Sequence, residues 1–556
     1  MLYYFILFLN FSLLFSFKCG HDLIKQTPKI LNYSTTSNNS TRRLDSYHPI
    51  SFFVDYTQMD SDTAVTPEYK GFIKESINSS LQVFSELLKV KRSGNLKIQN
   101  PGGCNSKITK FNESILTGID YDIILIPIID ESLPEGVDAA ATACFLDPTD
   151  YRPIMGYVSL GKNYAYGKTN AQEFLTMLLI HEISHILVFS DGLFEYFQYS
   201  GNVTTTRTIN GVNRTLVQTT KVKKVATNHF GCNSLVGVEL ENQGGEGSAG
   251  SHWEARIMLG DYMISHDYPE IVISDITLAL FEDSGWYDVN YYTGGLFRFG
   301  KGQGCGFLYS SCLSSRKSNF EWDFCDSVDQ PKCTSNNLNR GFCYIREVDS
   351  DLPSYYQYFQ NSRTGGWEPV DYCPVTMTYS SQNYYFSGSC IIGEESSTET
   401  SYPGFSISEN SICIESSLID SSATTPINER AICYKIKCNA ENKTINVDIG
   451  ETTIDCPTDG GEMEVNGYSG VIRCPPYNRV CTSKTYVGDS INAAINHIAN
   501  QDFDNLNLDK DKDGYNDYNG DESENNKNTT KNKKNSVEMI NLNIFYFILY
   551  FLFIIF

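Results

Sequence analysis

His181-Glu182-Ile183-Ser184-His185 sets two imidazoles four residues apart with a carboxylate directly after the first. On a helix, residues i and i+4 lie one turn apart on the same face. Two nitrogens so placed can grip one Zn2+, while Glu182, rotated around the helix, faces a water beside the metal without becoming a ligand. Zn2+ brings the pKa of such a water down towards ~7 and polarises a carbonyl. Glu182 then takes the water's proton and delivers it to a leaving amine. The chemistry is hydrolysis of a peptide bond, with proteins or peptides as substrates. The competing reading, two polar residues on a solvated face, fits poorly. Leu178, Leu179, Ile180, Ile183 and Ile186 surround the pair, and histidines among apolar neighbours need partners.

A catalytic zinc keeps three protein ligands and one open position. The residues leave the third ligand open. It is either an acidic residue downstream, such as Asp191, Glu195 or Glu239, or a histidine. His252 is the best histidine, because the Gly-rich run QGGEGSAGS before it allows close backbone approach. His229 and His266 are weaker.

The histidines need a helix to align them, and the apolar spacing predicts one from about Asn170 to Phe189. Asn170 can cap it, with Glu173 reaching back as in a capping box. Upstream, Glu68–Lys89 has helical spacing at Phe72, Ile73, Ile77, Leu81, Phe84 and Leu87. His48–Tyr56, Tyr121–Ile129 and RPIMGYVSL read as strands, with Pro127 placing the second near an edge. The Thr- and Asn-rich stretch 200–228 reads as a loop or strand insertion. Gly231–Trp286 reads as loop-rich and then helical at DITLALFEDSGWY.

The 556 residues exceed one ordinary core, and a net charge of −23 argues against a nucleic-acid binder. There are 17 cysteines, 13 of them from Cys305 onward. Such density indicates an oxidising compartment. The 16 cysteines after Cys19 form an even set that can pair completely, in a connectivity the sequence does not give. Glycosylation acceptors at Asn32, Asn78, Asn112, Asn202, Asn213, Asn442 and Asn528 agree with secretion.

The expected organisation starts with a signal peptide at 1–17, although it carries no Lys or Arg. A polar pro-segment at 18–47 follows, containing Arg42-Arg43. Two catalytic subdomains follow at 48–200 and 201–295. Next come a cysteine-rich domain at 296–490 and an acidic, Asn-rich linker at 491–543. The last part, 544–556, is a hydrophobic segment that suits a removable lipid-anchor signal better than a membrane helix. Asp509–Asp521 begins like a calcium loop but has Gly520 where the loop needs Glu, so it reads as solvated linker.

The segments HEISHILVFS, KVATNHFGCNSLVGVELENQGGEGSAGSHWEARIMLGDYM and ITLALFEDSGWY, with AAATACF and RPIMGYVSL upstream, resemble the leishmanolysin family of metzincin metallopeptidases. The resemblance runs from about residue 48 to 490, and the overall length and Asn-rich tail suggest a protozoan member, such as one from a ciliate. It implies an α+β, metzincin-like catalytic region with a zinc-binding helix, followed by a disulfide-rich C-terminal domain. It implies a surface or extracellular endopeptidase using one Zn2+. It raises His252 above the acidic candidates, makes Met263 of DYM the Met-turn, and makes Cys19 of KCGHD a pro-segment switch that silences the precursor by ligating zinc. One departure stands out. The family has Gly three residues after the second histidine, and this chain has Val188. A left-handed turn there would strain a β-branched residue, so either the helix ends slightly later or the turn differs. That puts full activity in doubt and keeps a second reading in view, a catalytically impaired surface adhesin on a peptidase scaffold.

Overall fold

The structure is a computed structural model. It describes residues 19–24, 26–31, 46–91, 95–134, 137–162, 171–243, 249–266, 268, 271–291, 297–378, 388–391, 402–421 and 430–481. Two compact units are distinguished, Met1–Asn516 and Asp517–Phe556, and every described residue belongs to the first. The expected signal peptide, linker, calcium-like loop and C-terminal segment, together with Asn170, lie outside the described residues.

The site rests on a five-stranded sheet and two long helices. In chain order these are β1 (Lys29–Ile30), β2 (Phe52–Val54), α1 (Pro67–Leu87), β3 (Ile123–Ile129), β4 (Ala139–Leu146), β5 (Pro153–Leu160) and α2 (Ala171–Leu187). The strand order is β1-β4-β5-β3-β2. β2, β3 and β5 run parallel, and β4 runs antiparallel to β5. β4 and β5 are buried along their whole length, as strands covered on both faces are. Pro127 has an edge-like position within an inner strand. β2 pairs with β3 only from Ile123 to Leu125, so the missing N–H at Pro127 faces no neighbour on that side.

α1 starts where Thr66 caps the Tyr69 N–H at 3.2 Å and Pro67 fits the first turn. Its face of Tyr69, Ile73, Ile77, Leu81 and Phe84 is buried. α2 is apolar on nearly every side, and a helix of that kind has to lie inside the protein. It crosses the sheet at Gly156, where an added Cβ would sit 2.5 Å from an Ile186 methyl. Only glycine permits that approach.

The stretch expected to be a loop or strand insertion is more regular. It holds a hairpin, β6 (Thr204–Ile209) with β7 (Val212–Val217), and then a helix, α3 (Thr220–Phe230). The Thr- and Lys-rich composition conceals the helix, but Val222, Val225, Ala226 and His229 recur at helical spacing and are buried. Gly231, at φ +70°, ends it in a left-handed turn. β8 (Val238–Glu239) pairs with β7, and α4 (Asp275–Asp283) is capped by Ser274.

Past Phe297 the chain is built of short strands. The largest sheet there is six-stranded and antiparallel. Its strands are β9 (Ser411–Ser416), β10 (Arg430–Asn439), β11 (Thr444–Ile449), β12 (Thr452–Cys456), β13 (Gly461–Glu464) and β14 (Val471–Cys474), in the order β12-β11-β10-β9-β14-β13. Ile412, Ile432, Ile445, Val447 and Ile472 form its core. All 16 cysteines after Cys19 pair, as Cys104–Cys144, Cys232–Cys305, Cys312–Cys373, Cys325–Cys343, Cys333–Cys413, Cys390–Cys433, Cys438–Cys481 and Cys456–Cys474.

Candidate metal centre

His181 and His185 leave α2 one turn apart and aim at the same point. Their Nε2 atoms are 3.1 Å apart. His252 joins them from a distant part of the chain, its Nε2 3.3 Å from that of His181. The Cys19 sulfur completes the group at 3.3 Å from His185 Nε2. These four buried donors all lie within 4.8 Å of one another, and they are the metal-competent cluster among the described residues. The structure thus brings together His181, His185, His252 and Cys19.

The two rings on α2 are held by their far nitrogens. His181 Nδ1 donates to the Tyr262 carbonyl at 2.7 Å, and His185 Nδ1 donates to the Phe189 carbonyl at 2.6 Å. A proton fixed on Nδ1 leaves the Nε2 lone pair facing the cluster. Burial, the largest cause, pushes both imidazoles well below the ordinary histidine value, and the neighbouring histidines push the same way. Both rings are therefore neutral, the form that ligates a metal.

His252 is placed by its neighbour. Trp253 bridges Leu240 on one side and Ile264 on the other, and its indole N–H donates to Thr277 at 2.8 Å. Around it, the Glu241 N–H donates to the His252 carbonyl at 2.9 Å, and the Glu254 N–H to the Glu239 carbonyl at 3.0 Å. Met263 is fully buried beneath this arrangement, its N–H bonded to Asp261 and its carbonyl to Trp253. Glu182 is fully buried on α2, beside His181 in sequence.

The other candidates lie elsewhere. His229 donates to the Phe299 carbonyl at 2.8 Å, and burial lowers its pKa to about 3. His266 pairs with Ser265 and meets Trp367 edge-on. Glu239 pairs with Arg214 at 2.9 Å. Arg214 also reaches Asp371 at 2.6 Å, tying the hairpin to the cysteine-rich stretch. Asp191 and Glu195 line an open cleft of about 710 Å3 with Glu241.

At Val188 the turn differs from the left-handed one, the second of the two alternatives left open by the sequence. The backbone of this residue is not in the left-handed region. Its N–H bonds to the Ser184 carbonyl at 2.9 Å, and so does that of Phe189, at 2.8 Å. α2 thus ends in a widened turn that buries Val188 completely and turns the Phe189 carbonyl back onto His185.

Three participants escaped the sequence reading. Tyr262 and Phe189 act through carbonyl groups, which have no residue signature, although Tyr262 stands next to the singled-out Met263. His21 stacks on His185 with ring centres 4.1 Å apart and bonds Ser190 at 2.9 Å and the Ala141 carbonyl at 2.5 Å. Its place beside Cys19 was the available hint. The chain around it runs along β4, through the Gly20 N–H to the Ala139 carbonyl at 3.0 Å and the parallel pairs of β1.

A family model described as leishmanolysin, peptidase M8, matches residues 34–487. The chain belongs to the leishmanolysin family. It is similar to leishmanolysin of Leishmania tropica, 30% identical over 372 residues, covering 64% of this chain and 55% of that protein. A leishmanolysin homolog of Crithidia fasciculata is 27% identical over 443 residues, covering 77% and 66%. A leishmanolysin-like peptidase of Drosophila pseudoobscura pseudoobscura is 29% identical over 416 residues, covering 62% and 60%. The chain thus spans between just over half and about two thirds of these relatives' lengths.

Proposed function

We propose that the chain is a zinc-dependent endopeptidase acting on protein substrates at the cell surface or outside the cell, with His181, His185 and His252 as ligands and Glu182 as general base. The observation that carries this reading is the convergence of three imidazole Nε2 atoms, with spacings of 3.1 and 3.3 Å along His185–His181–His252. Donors ~2.0–2.1 Å from a tetrahedral Zn2+ lie about 3.3–3.4 Å apart, so the donor set fits that ion. His181 and His185, held neutral with their Nε2 lone pairs turned towards each other, are otherwise an unfavourable arrangement.

Zn2+ held there supplies Lewis acidity towards a peptide carbonyl and a lowered pKa for a water. The residues of the chain do the rest. The Tyr262 and Phe189 carbonyls keep the Nδ1 protons in place, so the rings do not rotate during turnover. Glu182 accepts the water's proton and returns it to the amine that leaves. The Met263 turn packs under the ligands, and Asp261 fixes its backbone.

Cys19 is the fourth donor. Its thiolate takes the position a substrate needs, so the form containing residues 19–31 is the silent precursor. Eight disulfides support passage through an oxidising compartment. The 544–556 segment, outside the described residues, is proposed as the membrane-anchor signal. The adhesin reading rested on strain at Val188, and the backbone there carries none of the expected kind. Metal analysis of His252→Ala tests the ligand set. Loss of bound zinc is expected, and zinc retained at one per chain would remove His252 from it.

A further inference from the structure

The open cleft of about 710 Å3 is lined by residues of the segments next to His185 and His252, and by none of the four donors themselves. One wall is Asp191 and Glu195, just after the turn whose Phe189 carbonyl holds His185. Another is Glu241 and Gly250, in the strand pairing that carries His252. A third belongs to the β6–β7 hairpin and contributes Asn202, Thr204, Asn213 and Thr215.

Those four residues form two acceptor triplets, Asn202-Val203-Thr204 and Asn213-Arg214-Thr215. In β7 the alternation of a strand puts Asn213 and Thr215 on the cleft face, while Arg214 points the other way into its ion pairs with Glu239 and Asp371. Asn202 and Asn213 are both exposed. Asn202 precedes β6, and Asn213 pairs with Thr208 near the hairpin tip, so the two stand about 20 Å apart along the strands.

We propose that Asn202 and Asn213 are N-glycosylated, and that the two glycans roof this cleft and screen substrates by size. In each transfer Asn Nδ2 loses a proton and bonds to the anomeric carbon of an oligosaccharide. The donor is a lipid-linked oligosaccharide pyrophosphate. Its anomeric carbon–oxygen bond breaks, and lipid pyrophosphate leaves. Pairing of all 16 cysteines after Cys19 places the chain in the compartment where that donor acts. Two bulky, hydrated chains rooted in the wall of a cleft leave room for an extended peptide and obstruct a folded domain.

The screening half rests on the peptidase reading above. The test uses the full chain secreted by a eukaryotic host and matured past Arg43. Glycopeptide mapping reads occupancy at each asparagine. The kcat/KM is measured for a folded protein and for a short peptide, in the wild type and in Thr204→Val with Thr215→Val. These substitutions abolish the acceptors while keeping both asparagines and the β-branched shape of the strands. Asn442→Gln, in the turn between β10 and β11 and away from the cleft, is the control.

Both asparagines are expected to carry glycan. The double variant is expected to cleave the folded protein several-fold faster and the peptide at the wild-type rate, with the control unchanged. An unmodified asparagine at either position overturns the proposal whatever the activity. Full occupancy with an unaltered protein-to-peptide ratio overturns the screening. Cleavage of neither substrate by any form refutes the peptidase reading itself, and the screening with it.

Discussion

Residues 48–291 contain a single internal disulfide, Cys104–Cys144, and hold their site with long helices on a nearly buried sheet. Residues 297–481 contain six, and their strands are mostly short. Cys232–Cys305 joins the two stretches. A disulfide acts chiefly on the unfolded chain and sets only where two Cα atoms meet. Donor atoms that must meet within a few tenths of an ångström need rigid packing around them. The histidine cluster sits where packing dominates. Cys19, the one cysteine outside a disulfide, is the one that touches the histidines.

The contrast can be broken in several places. Cys333–Cys413 spans 80 residues and Cys456–Cys474 spans 18. Replacing each pair by alanine is expected to cost about 4–5 and about 3 kcal/mol respectively in denaturant unfolding. Neither should change the zinc content of the protein that remains folded. Zinc loss in step with stability would show that the cysteine-rich stretch shapes the site. Leu179→Ala, in the fully buried part of α2, is expected to cost about 2–5 kcal/mol and to weaken metal retention as well. Normal zinc affinity in that variant would mean the helix is not what aligns the donors.

A third way uses pH. Burial raises the Asp261 carboxyl from 3.8 to about 6. Between those values the folded protein keeps a proton that the unfolded chain has released. Stability of the metal-free protein should therefore fall as pH rises from about 4 to about 6, by up to about 3 kcal/mol, and level off above. Asp261→Asn should flatten that slope in urea midpoints, and an unchanged slope would assign it to other groups. The smallest effect is expected from Val188→Gly. It restores the residue of the family motif but removes a buried side chain, costing about 2 kcal/mol with activity unchanged. A large gain in activity would show that Val188 does impair the enzyme.

The site was legible where chemistry depends on residue type and short spacing. His181, Glu182 and His185 stand out because the helix period aligns the two histidines. His252 lies far along the chain. The residues made it one of several candidates, and the family resemblance raised it above the others, as it alone pointed to Met263 and Cys19. Carbonyl partners such as Tyr262 and Phe189 were invisible, since any residue can supply them. Strand order was equally hidden, because β2 and β3 are parallel partners joined through α1 and carry no local pairing signal. The helix Thr220–Phe230 was missed because surface Thr and Lys dilute its apolar spacing. At Val188 the residue type left open whether the helix ends later or the turn differs, and this chain closes α2 with two N–H groups on one carbonyl.

The central claim is that three histidines hold a zinc ion at which Glu182 transfers protons. The most direct test pairs metal analysis with casein cleavage for the matured wild type and Glu182→Gln. The account predicts one zinc per chain in both, with kcat lower by roughly 10²–10⁴-fold in the variant and wild-type activity lost to a chelator. Equal activity in the two proteins, or a wild type that binds zinc and cleaves nothing, would contradict it.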